Sequence, residues 1–216
     1  MLSVIKRSAL ITLLVTLTAC QSAYYAAWEK VGVEKREILV DRVEDARESQ
    51  QEAEEQFTSA LEEFSALIQF DGGDLEEAYQ SLNDQYEASQ AAAEDVTNRI
   101  DKIESVADAL FDEWEAELEE YSNASLKRTS KQTLSETRLK YNKMVRAMRK
   151  VESSMEPVLS TLQDNVLFLK HNLNASAIGA LQGELNNIER DVKTLLTDMQ
   201  SAIAQSNSFI ADMNGV

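Results

Sequence analysis

The chain has 216 residues, enough for one domain with a substantial core or for one elongated bundle. Six glycines and a single proline, Pro157, stand among abundant Ala, Leu, Glu, Gln, Ser, Lys and Arg, a balance that fits long helices and argues against a sandwich, a barrel or a loop-rich enzyme fold. A formal net charge of −17 argues against nucleic acid or anionic lipid headgroups as direct partners, and the lone Cys20 excludes an internal disulfide and a thiolate metal cluster.

Residues 1–19 read as an export signal. Lys6 and Arg7 form its positive end, and Ala9 to Leu17 is apolar apart from Thr12 and Thr16, too short a run to cross a bilayer as a stable helix. The following Leu17-Thr18-Ala19-Cys20 resembles the lipobox of bacterial lipoproteins. That resemblance implies cleavage before Cys20, acylation of its sulfur and new amino group, and a membrane partner reached through that lipid; several acyl chains make such an anchor effectively permanent. Gln21 takes the sorting position after the cysteine, where the absence of Asp implies the periplasmic face of the outer membrane. Loss of Lys6 and Arg7 with the signal leaves a mature charge of −19. The expected plan is therefore a signal at 1–19, a lipidated anchor at 20–23 and one helical domain at 24–216. Tyr24, Tyr25 and Trp28 suit either a membrane interface or the packing of the first helix start.

Beyond the anchor, apolar residues recur at alternating steps of three and four, the heptad signature of a coiled coil or long bundle. The first segment, about 24–70, is the least regular, with Ile38 and Val43 ahead of a tighter Phe57, Leu61, Phe64 and Ile68. The second, about 74–122, is the clearest: Leu82, Tyr86, Ser89, Ala93, Val96 and Ile100 continue through Ile103, Ala107, Leu110 and Trp114. The third, about 125–171, repeats through Leu134, Tyr141, Met148, Val151, Met155 and Leu162. The fourth, about 174–213, runs from Ile178 through Leu185, Ile188, Val192, Leu195 and Met199 to Phe209 and Met213. Gly72-Gly73 followed by Asp74 marks the first turn, and Ser122-Asn123-Ala124-Ser125 the second, with Ser125 as N-cap. The third break, near His171-Asn172-Leu173-Asn174, lacks Gly and Pro, so one helix over 126–213 is the alternative. Pro157 should kink the third helix unless the chain breaks there. Four such helices, each ~60–70 Å long, give an all-α fold, an elongated antiparallel bundle or coiled coil.

Charge supports folding back. Residues 24–122 carry 29 acidic and 7 basic side chains, whereas residues 123–173 carry 4 acidic and 10 basic. The second turn would lay Lys127, Arg128 and Lys131 beside the cluster from Asp112 to Glu120, a pattern that selects neighbours more than it adds stability. That acidic run reads as a solvated face with a basic partner rather than a cation site. A di-iron bundle site needs Glu-x-x-His on two helices, but His171 is the only histidine and Phe168 stands three residues before it. One histidine also leaves no zinc site or Ser-His triad, and Gly72-Gly73 lacks the Lys-Ser/Thr of a nucleotide loop. No catalytic residue, metal or cofactor is therefore expected.

Tyr24-Tyr25-Ala-Ala-Trp28-Glu-Lys-Val-Gly32, then Lys35-Arg36-Glu37 and Leu39-Val40, with Phe168-Leu169-Lys170-His171-Asn172-Leu173-Asn174-Ala175 later, resemble an uncharacterised proteobacterial family, domain of unknown function 2959. The resemblance implies a membrane-anchored, coiled-coil-rich protein and carries no activity. The expected function is a non-enzymatic envelope lipoprotein acting as spacer, scaffold or protein-binding module, with an envelope protein or a second copy bound through helical faces. The alternative is a carrier of a lipid or small apolar ligand, for which Ser89 and Ser206 in the apolar seam are candidate cavity walls.

Overall fold

A computed structural model of the chain describes residues 32–69, 75–173 and 175–215. The export signal, Leu17-Thr18-Ala19-Cys20, Gln21, the aromatic residues Tyr24, Tyr25 and Trp28, and the Gly72-Gly73 turn with Asp74 lie outside the described residues. The helices are α1 (Lys35–Ile68), α2 (Leu75–Leu118), α3 (Ala124–His171), the short α4 (Ala175–Leu181) and α5 (Leu185–Gly215), and no strand occurs among the described residues.

The four long helices form a ring in which α1 packs on α2 and α5, and α3 packs on the same two, so α1 and α3 are diagonal neighbours. Side-chain pairs fix the directions. Between α1 and α2, Lys35 meets Glu113 and Ser49 meets Asp95; between α2 and α3, Trp114 meets Ser130 and Arg149 meets Glu104. Between α3 and α5, Lys140 meets Asp212 and Lys150 meets Asp198; between α5 and α1, Gln200 meets Glu54 and Asn207 meets Arg47. In each case rising numbers on one helix meet falling numbers on the next, the up-down-up-down order that short connections favour. The Lys35–Glu113 and Lys140–Asp212 pairs also show that the α2–α3 hairpin reaches past Lys35 and past the end of α5.

The core is the apolar stripe legible in the sequence. Phe57, Phe64, Leu82, Ile100, Met148 and Leu162 are among its fully buried side chains, and each such residue contributes about 1.5–3 kcal/mol relative to exposure. In α1 the stripe is completed by Ala46, Ala53 and Ala60, small residues that make its periodicity faint. Pro157 does not break α3: the helix runs through it, with the ring on the exposed face. The missing N–H thus costs one intrahelical bond without disturbing the packed side.

Two sequence expectations are corrected. The N-cap of α3 is Asn123, not Ser125; the Asn123 side-chain oxygen accepts from the backbone N–H groups of Ser125 at 2.9 Å and Leu126 at 3.2 Å. The last segment is not one helix, nor does it continue α3. Asn172 ends α3, its N–H donating to the Leu169 carbonyl and its side-chain amide to that of Phe168. A second break at Gln182-Gly183-Glu184 then separates α4 from α5, where the Gly183 N–H turns back to the Ala180 carbonyl at 3.3 Å. Leu181 and Leu185 lie four residues apart on either side of that break, so the apolar stripe crosses it.

Candidate functional site at the end of the bundle

The end of the bundle at which α1 begins holds a recess of about 300 Å³ that all four long helices line. Its apolar wall is Leu110 and Trp114 from α2 with Phe209 and Met213 from α5. The rim is polar and paired. Lys35 donates to Glu113 at 3.1 Å, Lys140 meets Asp212 at 3.0 Å, and the Trp114 indole N–H donates to the Ser130 hydroxyl at 2.8 Å. An apolar wall under a charged rim suits a small apolar or amphipathic guest, at the small end of the usual range for ligand sites. Sequence reading placed Trp114 in the core seam; it is half-buried because α1 and α5 both stop near its level.

Ser89 and Ser206, the expected cavity walls, are fully buried, and neither lines the recess at the bundle end. The Ser89 hydroxyl donates to the Gln85 carbonyl at 2.7 Å and lies 3.4 Å from the Gln56 amide nitrogen; the Ser206 hydroxyl donates to the Ala202 carbonyl at 2.9 Å. Both satisfy themselves locally within a packed seam. Gln50 is one of the buried polar residues, with Ser49, Asn165 and Asp198, that sequence reading missed. It has no exposed surface, and among the described residues neither its amide nitrogen nor its oxygen has a partner. It sits four residues after Ala46 and three before Ala53 on the packed face of α1, and no periodic signal distinguishes it from an exposed glutamine.

The α2–α3 seam carries the strongest charge network. Arg149 meets Glu104 at 2.6 Å and Glu152 at 2.9 Å and also binds Asp101. The hydrogen bond to Glu104 leads in raising the Arg149 guanidinium pKa above its already high value. About three turns away along α3, Arg138 pairs with Glu115 and lies 5.0 Å over the Phe111 ring, which meets Tyr141 edge-on. Burial, then the Asp108 and Glu104 charges, push the Tyr141 hydroxyl up. Burial, then Asp112 and Glu104, raise the Asp108 carboxyl, with Arg138 opposing. These shifts follow from helix packing and the neighbouring charges. Of the three cations expected beside the acidic cluster, only Lys127 pairs with it, to Glu119 at 3.0 Å. Arg128 and Lys131 are exposed and have no ion pair among the described residues.

On the α3–α5 seam the buried Asp198 carboxylate accepts from the Lys150 ammonium at 2.6 Å and the Ser154 hydroxyl at 2.7 Å. His171 is the exposed last residue of α3. Among the described residues, no group of three or more His, Cys, Asp or Glu is placed to hold a metal ion, and no helix is long and apolar enough to cross a membrane. A family model described as "Protein of unknown function (DUF2959)" matches residues 24–213. A search of curated proteins gives no match.

Proposed function

The chain belongs to that DUF2959 family, whose description assigns no activity, and from its own architecture we propose a non-enzymatic envelope lipoprotein, lipid-anchored through Cys20, whose helical rod acts as a spacer and protein-binding module. The observation that carries the proposal is the pairing of a lipobox, Leu17-Thr18-Ala19-Cys20, with a bundle whose core is continuous from Leu39 to Phe209. Cys20 precedes the first residue of α1 by fifteen positions, so its lipid would tether the rod at the recess end and send the α1–α2 connection away from the membrane. Rod length then sets reach: α3, at 48 residues, spans ~70 Å. The packed seam leaves outward helix faces as the surfaces for partners, and the side after Cys20, with Gln21 in the sorting position, favours the outer membrane.

A carrier of a small apolar ligand is the second reading, favoured by the recess walled by Leu110, Trp114, Phe209 and Met213. The test is a Cys20→Ser variant, fractionated from cells and then melted after purification. Anchorage through the cysteine predicts loss from the membrane fraction with an unchanged cooperative helical melt. Retention in the membrane fraction refutes the lipid anchor, and a non-cooperative melt refutes the self-sufficient bundle. Co-purification of an apolar small molecule, lost on Trp114→Ala, would favour the carrier.

A further inference from the structure

The outward face of α3 departs from the acidity of the rest of the molecule. Leu139, Lys143, Arg146 and Lys150 follow one another at steps of four, three and four, and all four are exposed, Leu139 by 68%. Lys143 and Arg146 have no carboxylate partner among the described residues, although the chain carries 38 acidic side chains. On the outward face of α1 the same spacing carries the opposite sign. Glu37, Asp41, Glu48, Glu52 and Glu55 are exposed, and apart from Glu48, which meets Arg47, none has an ion pair among the described residues.

Because α1 and α3 are diagonal in the ring, the two stripes face opposite sides of the rod. They run in the same direction, since each helix is antiparallel to α2. They also overlap in height. Lys150 is level with Asp198, two residues from Gln200, which meets Glu54; Lys140 is level with Asp212, five residues past Asn207, which meets Arg47. Through α5, Lys143 and Arg146 stand beside α1 between Asp41 and Glu52; through α2, where Lys35 meets Glu113 and Arg138 meets Glu115, they stand nearer Glu37 and Asp41, so both routes set them within the acidic stripe. A sideways shift of one molecule, with no rotation, brings its basic stripe onto the acidic stripe of the next.

We propose that the α3 face from Leu139 to Lys150 docks the outward acidic face of α1 from a second copy, so that rods assemble side by side and parallel. The contact is heterologous and does not close, so it generates rows rather than a symmetric pair. Exposed ion pairs are individually weak, and the row forms where copies are already concentrated and aligned. That alignment rests on the proposed anchor, which sets every rod on one membrane with the same end down. Anionic lipid is the competing occupant of the cations, and the acid excess of the whole chain opposes it.

The experiment uses the full chain with phosphatidylcholine vesicles, a zero-length carbodiimide cross-linker and flotation of the same sample. The expected result is a ladder of dimers and higher species, joined between Lys143 or Lys150 and the exposed α1 carboxylates from Glu37 to Glu55. K143E/R146E and E48K/E52K, all at exposed positions, should each lower the cross-linked fraction about tenfold. An equimolar mixture of the two should restore it, because each reversed stripe then meets its complement. Screening by raised salt should reduce the wild-type ladder. A monomer only, cross-links at other sites, or a ladder indifferent to both reversals overturns the proposal. So does a K143E/R146E defect confined to binding of phosphatidylglycerol vesicles, which would identify lipid as the occupant. Protein that fails to float yet gives a charge-dependent ladder upholds the docking face and contradicts the anchor; floated protein without a ladder does the reverse.

Discussion

Gln50→Met separates a core defect from a working polar contact. Gln50 is fully buried on α1 with both amide atoms unpartnered among the described residues, whereas Gln56, nearly two turns on, donates to the Gln85 side-chain oxygen at 2.9 Å. An unsatisfied buried polar group costs about 1–3 kcal/mol, and methionine keeps nearly the same length and volume while removing both orphan atoms. After allowance for imperfect repacking, Gln50→Met should stabilise the bundle by about 2 kcal/mol. In a chain of this size that raises the melting temperature by roughly 4–8 °C, read from the helical circular dichroism signal. Gln56→Met, which removes real hydrogen bonds, should instead cost about 0.5–1.5 kcal/mol. A lower melting temperature for Gln50→Met would refute the reasoning, because it would mean that the amide has a partner worth more than its desolvation.

Three further perturbations test the seams. Arg149→Met should destabilise by about 1–2 kcal/mol, since it leaves Asp101, Glu104 and Glu152 facing one another, and urea melts should show the deficit shrinking in high salt. Phe209→Ala, at a site 2% exposed beside Tyr141, should cost about 3–5 kcal/mol in the same assay. The Asp108 carboxyl is raised in the folded chain, so its proton-linked stability is present below the ordinary value near 3.8 and is lost as pH rises through the raised value. Asp108→Asn should therefore stabilise at neutral pH, and the advantage should vanish as melts are repeated toward pH values below about 4.

The stripes of α2, α3 and α5 were legible because long apolar side chains recur there at heptad spacing, and Leu82, Met148 and Leu195 are buried as that spacing requires. The acid-rich and base-rich segments likewise foretold that α2 and α3 pack together. Which cations pair was not legible from composition. Lys127 and Arg138 are eleven residues apart, about three turns, and share the α2-facing side; Arg128 is rotated away from it, while Lys131 keeps that helical spacing yet is exposed and makes no ion pair among the described residues. The Gly183 break was hidden because Leu181 and Leu185 keep the apolar step across it. Asn123 and Ser125 are both good N-caps, so only backbone geometry selects Asn123. The recess arises from where α1 and α5 stop, a length difference that side-chain pattern does not encode.

In-cell photo-crosslinking from single exposed positions on each long helix, with mass spectrometry of the adducts, tests the binding-module claim most directly. The account predicts protein adducts from the outward faces of α1 and α3, at positions such as Glu52 and Leu139, with few from α2 or α5. Absence of protein adducts from every face, with small-molecule adducts from positions at the Trp114 recess, would contradict it and make the chain a carrier.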